Sequence, residues 1–112
     1  MTACWDDWRS FFESQGYTCY APAWPYKDAP AAALRRQHPH SPIAQNSLAE
    51  VLRVYTDFIA QLPGKPIVIG HSYGGLLVQL LRQQDTVVAG VAIESAPPRG
   101  VLVPSWSLLR AV

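Results

Sequence analysis

The sequence has few of the features that mark secreted, metal-binding or nucleic-acid-binding proteins. Its two cysteines, Cys4 and Cys19, match neither a disulfide framework nor a zinc site, so we expect reduced thiols. Nine lysines and arginines are interspersed with eight aspartates and glutamates, and they form no basic stripe that would attract nucleic acid or an anionic membrane. We therefore predict no nucleic-acid partner, no metal and no other cofactor.

Long apolar runs are also missing. The first residues lack the basic start and apolar stretch of a signal peptide. The longest apolar runs, at residues 67–69 and 87–93, are too short to cross a bilayer. These two absences predict a cytoplasmic protein without a membrane span.

The chain does contain enough apolar residues for a small core. Of its 112 residues, 49% are hydrophobic, a fraction typical of a folded chain. A chain of this length buries only about two-thirds of the surface that its unfolded form exposes, which leaves little spare stability. We predict one marginally stable domain over residues 1–112.

Helical and strand patterns alternate along the sequence. The apolar spacing predicts helices at residues 5–15, 31–36, 47–62 and 74–81, and strands at 17–20, 66–69 and 86–93. Residues 101–112 are ambiguous, with a loop that leads into a helix at 107–110 as one interpretation. Ser47 and Glu50 form a capping box, and Asp28 is a candidate cap for the second helix. This alternation predicts the α/β class, with parallel strands and flanking helices.

A G-H-S-Y-G segment occupies residues 70–74, between the second predicted strand and the helix that follows it. A sharp strand-to-helix turn projects a serine hydroxyl above the sheet, which suits Ser72 for nucleophilic attack on an acyl carbon. The N–H of Tyr73, at the start of the helix, is a candidate oxyanion donor. We expect Gly70 and Gly74 to be required because side chains there would collide. The alternative is a tight turn that carries a non-catalytic serine.

Four stretches of the chain resemble the α/β-hydrolase superfamily in its esterase, lipase and lysophospholipase-like branch. The most specific is G-H-S-Y-G-G at residues 70–75, and the others are residues 5–17, A-P-A-W-P at 21–25, and 91–100. The resemblance implies a serine hydrolase with Ser72 as its nucleophile. It also implies a triad in the chain order serine, acid, histidine.

Candidates for the other triad members are few. Only Asp85 and Glu94 are acidic after Ser72, and no histidine follows it. Glu94 ends a predicted strand at a place where some superfamily members carry the triad acid, although most carry it one strand later. Asp85 is expected to be a solvated turn residue. His71 occupies a common position of the serine turn and is not expected to act as the base.

The resemblance further implies parts that precede and follow this sequence. The oxyanion loop and the strand before it would lie upstream of Trp5. In the family, that strand lies between the strands expected here at residues 17–20 and 66–69. We therefore expect a partial α/β-hydrolase fold, parallel strands with flanking helices, with the central strand and the C-terminal half missing. Its exposed strand edges would favour self-association.

The function expected from the sequence is that of a serine-hydrolase fragment that is inactive or weakly active as it stands. Its substrate, once the site is completed, would be a small-molecule ester or acyl compound. One alternative is a non-catalytic pseudoenzyme or interaction module, and another is an enzyme assembled from two chains with His38 or His40 as the base. Trp24, Trp106 and Tyr73 are candidates for lining an acyl pocket, but core packing explains such aromatics equally well.

Overall fold

The computed structural model describes residues 3–27, 29–37 and 42–101. The helices are α1 (Asp6–Ser14), α2 (Ala31–Arg36), α3 (Leu48–Ala60) and α4 (Tyr73–Gln83), with 3-10 helices at Ala3–Trp5 and Pro42–Gln45, and the strands are β1 (Ile67–His71) and β2 (Ala89–Ile93). The chain divides into two compact units, residues 1–57 and 58–112, which are described separately below. The expectation of a single domain over residues 1–112 stays a prediction.

Within those three ranges, no helix is both long enough and apolar enough to cross a membrane. The predicted cap Asp28 and the candidate helix at residues 107–110 lie outside the described residues.

In the first unit, α1 confirms the helix predicted at residues 5–15. Two aspartates occupy its first turn, where they favour the positive helix end. Gly16 stops the helix at a φ of 90°, a conformation that glycine adopts without strain. The N–H of Gly16 donates to the carbonyl of Glu13 (3.0 Å) and that of Tyr17 to Phe12 (3.1 Å), which is the paired bonding of a glycine-terminated helix end.

The strand predicted at residues 17–20 is wrong, because this segment is irregular in the structure. A strand needs a neighbour that takes up its backbone hydrogen bonds. Within the part of the chain that the structure describes, β1 and β2 pair only with each other. Tyr17 and Tyr20 are accordingly 58% and 53% exposed. Aromatic and β-branched composition was not enough to make a strand here.

The proline-rich loop after residue 20 is fastened to residues further along the first unit. The Tyr55 hydroxyl donates to the carbonyl of Pro22 (2.9 Å), and the Asn46 side-chain amide donates to that of Pro25 (2.9 Å). Burial raises the pKa of Tyr55 above its usual value of 10, and a hydrogen bond with Trp24 opposes that shift in part.

The start of α3 confirms one half of the predicted capping box. The hydroxyl of Ser47 accepts the backbone N–H of Glu50 at 3.1 Å. On the apolar stripe of this helix, Val51 and Ile59 are buried as the spacing predicts. The helix is shorter than the predicted span of residues 47–62. It lacks Ser47, which is the cap, and Gln61 and Leu62, which follow its last turn.

The second unit contains the parallel pair β1–β2. The strands run in register from Ile67 opposite Ala89 to His71 opposite Ile93, and α4 packs against both. Between α4 and β2, the hydroxyl of Thr86 donates to the carbonyl of Leu81 (2.9 Å) and holds this segment against the end of the helix. The strand β2 therefore begins at Ala89, later than predicted. The core of this unit includes Leu76, Leu77, Val78, Leu81 and Val87. Helices and a small parallel sheet confirm a partial α/β fold.

Among the described residues, α4 covers one face of this sheet and the other face is open. A Cβ placed on Gly70 or Gly90 would run into Val78 of α4, so these positions face the helix. Because side chains alternate along a strand, Ile67 and Val91 face the opposite side. Their exposed fractions are 57% and 47%. Strands of an α/β fold normally bury both faces, so this sheet lacks part of its usual cover.

Replacing Tyr55 with phenylalanine tests the fastening of the proline-rich loop. We expect Tyr55→Phe to lower the free energy of unfolding at pH 7 by about 1 kcal/mol, because it removes the hydrogen bond to Pro22. Tyr17→Phe, which keeps an exposed ring in place, is the control and should change stability by less than about 0.5 kcal/mol. Equal effects of the two substitutions in urea unfolding would contradict this assignment.

The raised pKa of Tyr55 also predicts a loss of stability in alkali. The unfolded chain loses the Tyr55 proton near pH 10, while the folded chain holds it to higher pH. The contribution is therefore fully present below pH 10 and is lost as the pH rises through the folded pKa. Urea unfolding between pH 8 and pH 12 should show a shallower decline for Tyr55→Phe than for the native chain.

Candidate functional site

The candidate site is the turn at residues 70–74, where β1 ends and α4 begins. Ser72 lies between them with a φ of 55° and a ψ of −117°. Residues other than glycine rarely adopt this region, and they stay there only when the surrounding structure holds them. Ser72 is also exposed. The backbone therefore presents a strained, accessible hydroxyl-bearing residue at the carboxyl end of a parallel strand.

Both backbone polar groups of Ser72 are hydrogen-bonded. Its N–H donates to the carbonyl of Ile93, the last residue of β2, at 2.9 Å. Its carbonyl accepts the N–H groups of Gly75 in α4 and of Ala96 beyond β2, each at 3.0 Å. The strained residue is thus bonded to the strand beside it, to the helix after it and to the loop that follows β2.

Two glycines allow close approaches of the backbone at the turn, but they are not quite the predicted pair. A Cβ at Gly70 would overlap with the carbonyl group of Gly74 and lie 2.8 Å from Cγ2 of Val78, so the expectation for Gly70 is confirmed. The expectation for Gly74 is wrong, because a Cβ there would meet nothing within 4 Å. Gly75 takes that role, since its Cβ would lie 2.9 Å from Cβ of Ser95.

Tyr73, the predicted oxyanion donor, is the first residue of α4. The N–H groups of a first helical turn point out of the helix end and carry its partial positive charge. This position next to Ser72 is compatible with the predicted role, which stays a prediction. The Tyr73 side chain is 36% exposed.

The structure places Glu94, one of the two acidic residues after Ser72, beside His71. Oε2 of Glu94 lies 3.4 Å from Nε2 of His71, and the Glu94 side chain is 85% exposed. Glu94 also has a positive φ of 42°, and the backbone bends there directly after β2. An exposed pair at this distance contributes little to stability.

Asp85 lies in the turn after α4, as the sequence predicts, and its side chain is 75% exposed. Its carboxylate accepts a hydrogen bond from Lys65 Nζ at 2.8 Å and lies 3.5 Å from Arg82. Lys65 chiefly, and Arg82 to a smaller extent, lower the pKa of Asp85. These contacts account for Asp85 as a surface turn residue.

Other candidates fall into two groups. His38, His40 and Trp106 lie outside the described residues. Trp24 belongs to the first unit, where it hydrogen-bonds with Tyr55 and where Nζ of Lys27 lies 4.6 Å from its ring centre. Those contacts favour a packing role for Trp24. Across residues 3–27, 29–37 and 42–101, no three side chains of His, Cys, Asp or Glu are grouped to hold a metal ion.

Sequence reasoning missed two residues next to the turn. Nε2 of Gln79, on α4, donates to the hydroxyl of Ser95 at 2.7 Å, and that hydroxyl donates to the carbonyl of Ala96 at 3.0 Å. A glutamine on the polar side of a helix and a serine after a strand are ordinary surface residues in a sequence. No local pattern marks this pair, because Gln79 and Ser95 are 16 positions apart in the chain.

Comparison with known proteins identifies a family. The model of a family described as "Alpha/beta hydrolase family" matches residues 2–112, which is nearly the whole chain. Neither a curated protein nor a solved structure matches.

The two glycines of the turn predict opposite results for the same substitution. We expect Gly70→Ala to lower the free energy of unfolding by about 1–3 kcal/mol, because its methyl group has no room beside the Gly74 carbonyl and Val78. Gly74→Ala should be neutral or stabilising by up to about 1 kcal/mol, because the site is open and alanine favours a helix. Urea unfolding measures both, and similar losses for the two variants would contradict the geometry of the turn.

Proposed function

We propose that this chain, which belongs to the alpha/beta hydrolase family, carries the nucleophile elbow of a serine hydrolase that acts on ester or related acyl bonds. The observation that carries the proposal is the backbone of Ser72, a serine at φ 55° and ψ −117° between a parallel strand and a helix. Strain of this kind at a non-glycine residue is concentrated at functional sites. A turn that needed no exposed side chain could use glycine at this position.

In the proposed reaction, Oγ of Ser72 attacks the acyl carbonyl and its proton passes to a general base. The carbonyl oxygen becomes an oxyanion, and the N–H of Tyr73 donates to it at the start of α4, where the helix dipole also favours negative charge. The alcohol or other leaving group departs with a proton from the base. Water then hydrolyses the acyl-serine and restores the Ser72 hydroxyl.

The base and the acid of this cycle are proposed to come from outside these 112 residues. No histidine follows Ser72 in the sequence, and the side chain of Glu94 is directed to His71. Ser72 is exposed, which leaves room for a completing segment or chain to reach it. The chain is therefore proposed to be a fragment of a hydrolase, inactive or weakly active by itself, because loss of the base removes most of the rate.

A fluorophosphonate probe tests the role of Ser72, and added imidazole can replace the missing base. We expect slow labelling of the chain that increases with imidazole concentration and is abolished by Ser72→Ala. Ser10→Ala, which removes a serine of α1, should label like the native chain. Intact-mass spectrometry gives the labelled fraction, and peptide mapping gives the labelled residue.

Two outcomes would count against the proposal. Labelling that persists in Ser72→Ala would place the reactive group elsewhere. A folded chain that is not labelled at Ser72 even with imidazole would favour a non-catalytic interaction module.

The open side of the sheet supports self-association of the isolated chain. Within the described ranges the sheet has two strands, so β1 and β2 each have an outer edge without a neighbouring strand. Val91 adds an exposed apolar side chain to the uncovered face. Open edges and apolar faces of this kind promote association unless charge or proline blocks them.

We expect Val91→Lys to reduce association, because it places a charge on the open face of β2. Val101→Lys is the matched control, since Val101 is 53% exposed, compared with 47% for Val91, and lies outside the sheet. Sedimentation velocity at several concentrations measures the effect. Equal association of both variants and the native chain would show that the open face at Val91 is not the contact surface.

A further inference from the structure

We propose that Gln79 and Ser95 are positioning residues that hold Ser72 in its strained conformation. The catalytic consequence of this inference rests on the proposed function, whereas the structural part concerns the backbone alone. Neither residue belongs to the G-H-S-Y-G segment. The reactive group in the proposed function is the Ser72 hydroxyl, and Gln79 and Ser95 do not themselves react. Gln79 and Ser95 act through the loop that follows β2.

Three hydrogen bonds connect the side of α4 with the carbonyl of Ser72. Nε2 of Gln79 donates to Oγ of Ser95 at 2.7 Å, and Oγ of Ser95 donates to the carbonyl of Ala96 at 3.0 Å. The N–H of Ala96 donates to the carbonyl of Ser72 at 3.0 Å. Both polar backbone groups of Ala96 are thereby bonded, one to the turn and one to the Ser95 hydroxyl.

Packing holds Ser95 from the other side. Its Cβ lies so close to the helix start that a Cβ at Gly75 would be only 2.9 Å away. Glu94, just before Ser95, has a positive φ of 42°, and the backbone bends there. Ser95 is therefore fixed by the Gly75 backbone beneath it and by the Gln79 amide beside it.

This arrangement matters because Ser72 needs restraint from outside its own helix. Its carbonyl accepts the N–H groups of Gly75 (3.0 Å) and Leu76 (3.4 Å), which any helix start can supply. The N–H of Ala96 comes from a different part of the chain and ties the turn to the loop after β2. Loosening Ala96 allows Ser72 to relax, and a displacement of about 1 Å at a reacting atom can lower a rate about a hundredfold.

The direction of the hydrogen bonds gives a selective substitution. The Gln79 amide donates, so the Ser95 hydroxyl keeps its own proton for the Ala96 carbonyl. A carboxylate can only accept. Gln79→Glu therefore draws the Ser95 proton away from Ala96 with almost no change in side-chain size. Gln83→Glu makes the same charge change on the same helix, and Gln79→Lys restores a donor.

Hydrogen exchange and carbon chemical shifts of the full chain test the proposal. We expect the Ala96 amide to exchange about five- to tenfold faster in Gln79→Glu and Ser95→Ala, and to be unchanged in Gln83→Glu. The Cα and Cβ shifts of Ser72, which report its φ and ψ, should move in the first two variants and return toward native values in Gln79→Lys. Unchanged Ala96 exchange and Ser72 shifts in Gln79→Glu and Ser95→Ala would overturn the proposal.

A double-mutant cycle provides a second, independent test, because it measures the coupling in stability between Ser72 and Ser95. Ser72→Gly removes the strain and should raise the folding equilibrium constant about tenfold in the native background. In the Ser95→Ala background, where Ser72 is already free to relax, the gain should be at least about threefold smaller. Equal gains in the two backgrounds would mean that Ser95 does not maintain the strain.

These readouts do not depend on catalysis. If labelling of Ser72 fails while the exchange and the cycle behave as expected, the proposed function is wrong and the positioning stands. If Ser72 is labelled while both readouts are unaffected by Ser95→Ala, the function stands and the positioning is wrong.

Discussion

The close approach of β1 to α4 at Gly70 is the contact on which the second unit depends. A hydrogen atom at this position allows the strand to reach the Gly74 carbonyl and Val78 without overlap. Only at that separation can one residue, Ser72, connect the strand to the helix. The same residue is then left at a positive φ, and its hydrogen bonds to the end of β2, to α4 and to the loop after β2 hold it there.

The same sheet that holds the turn is itself incompletely covered. In the second unit, Val87 is only 1% exposed. In the two strands of the same unit, however, Ile67 and Val91 are 57% and 47% exposed. A small domain has about 5–15 kcal/mol of stability in total, so uncovered apolar strands are a substantial cost. Under the proposed function, the open face and the exposed serine have the same explanation. Further protein covers the sheet and completes the site.

Most of the local structure could be predicted from the sequence. The aromatic spacing of α1 and the Ser47 cap of α3 are local patterns, because a helix is stabilised by contacts three or four residues apart. Residues 17–20 show where such reasoning fails. Their composition favours a strand, but a strand is stabilised by a neighbour at any distance along the chain, and the described residues provide none.

The sequence by itself determined the family, the α/β alternation and the residue at the apex of the turn, because each is written in contiguous residues. Only the tertiary structure decided that Gly75 and not Gly74 is the second close contact, and that Glu94 lies beside His71. It alone placed Gln79 and Ser95 in one hydrogen-bonded path to Ser72. Each of these contacts joins residues that are 16 or more positions apart. Which distant residues meet depends on how the chain folds back, and a local sequence pattern does not specify that.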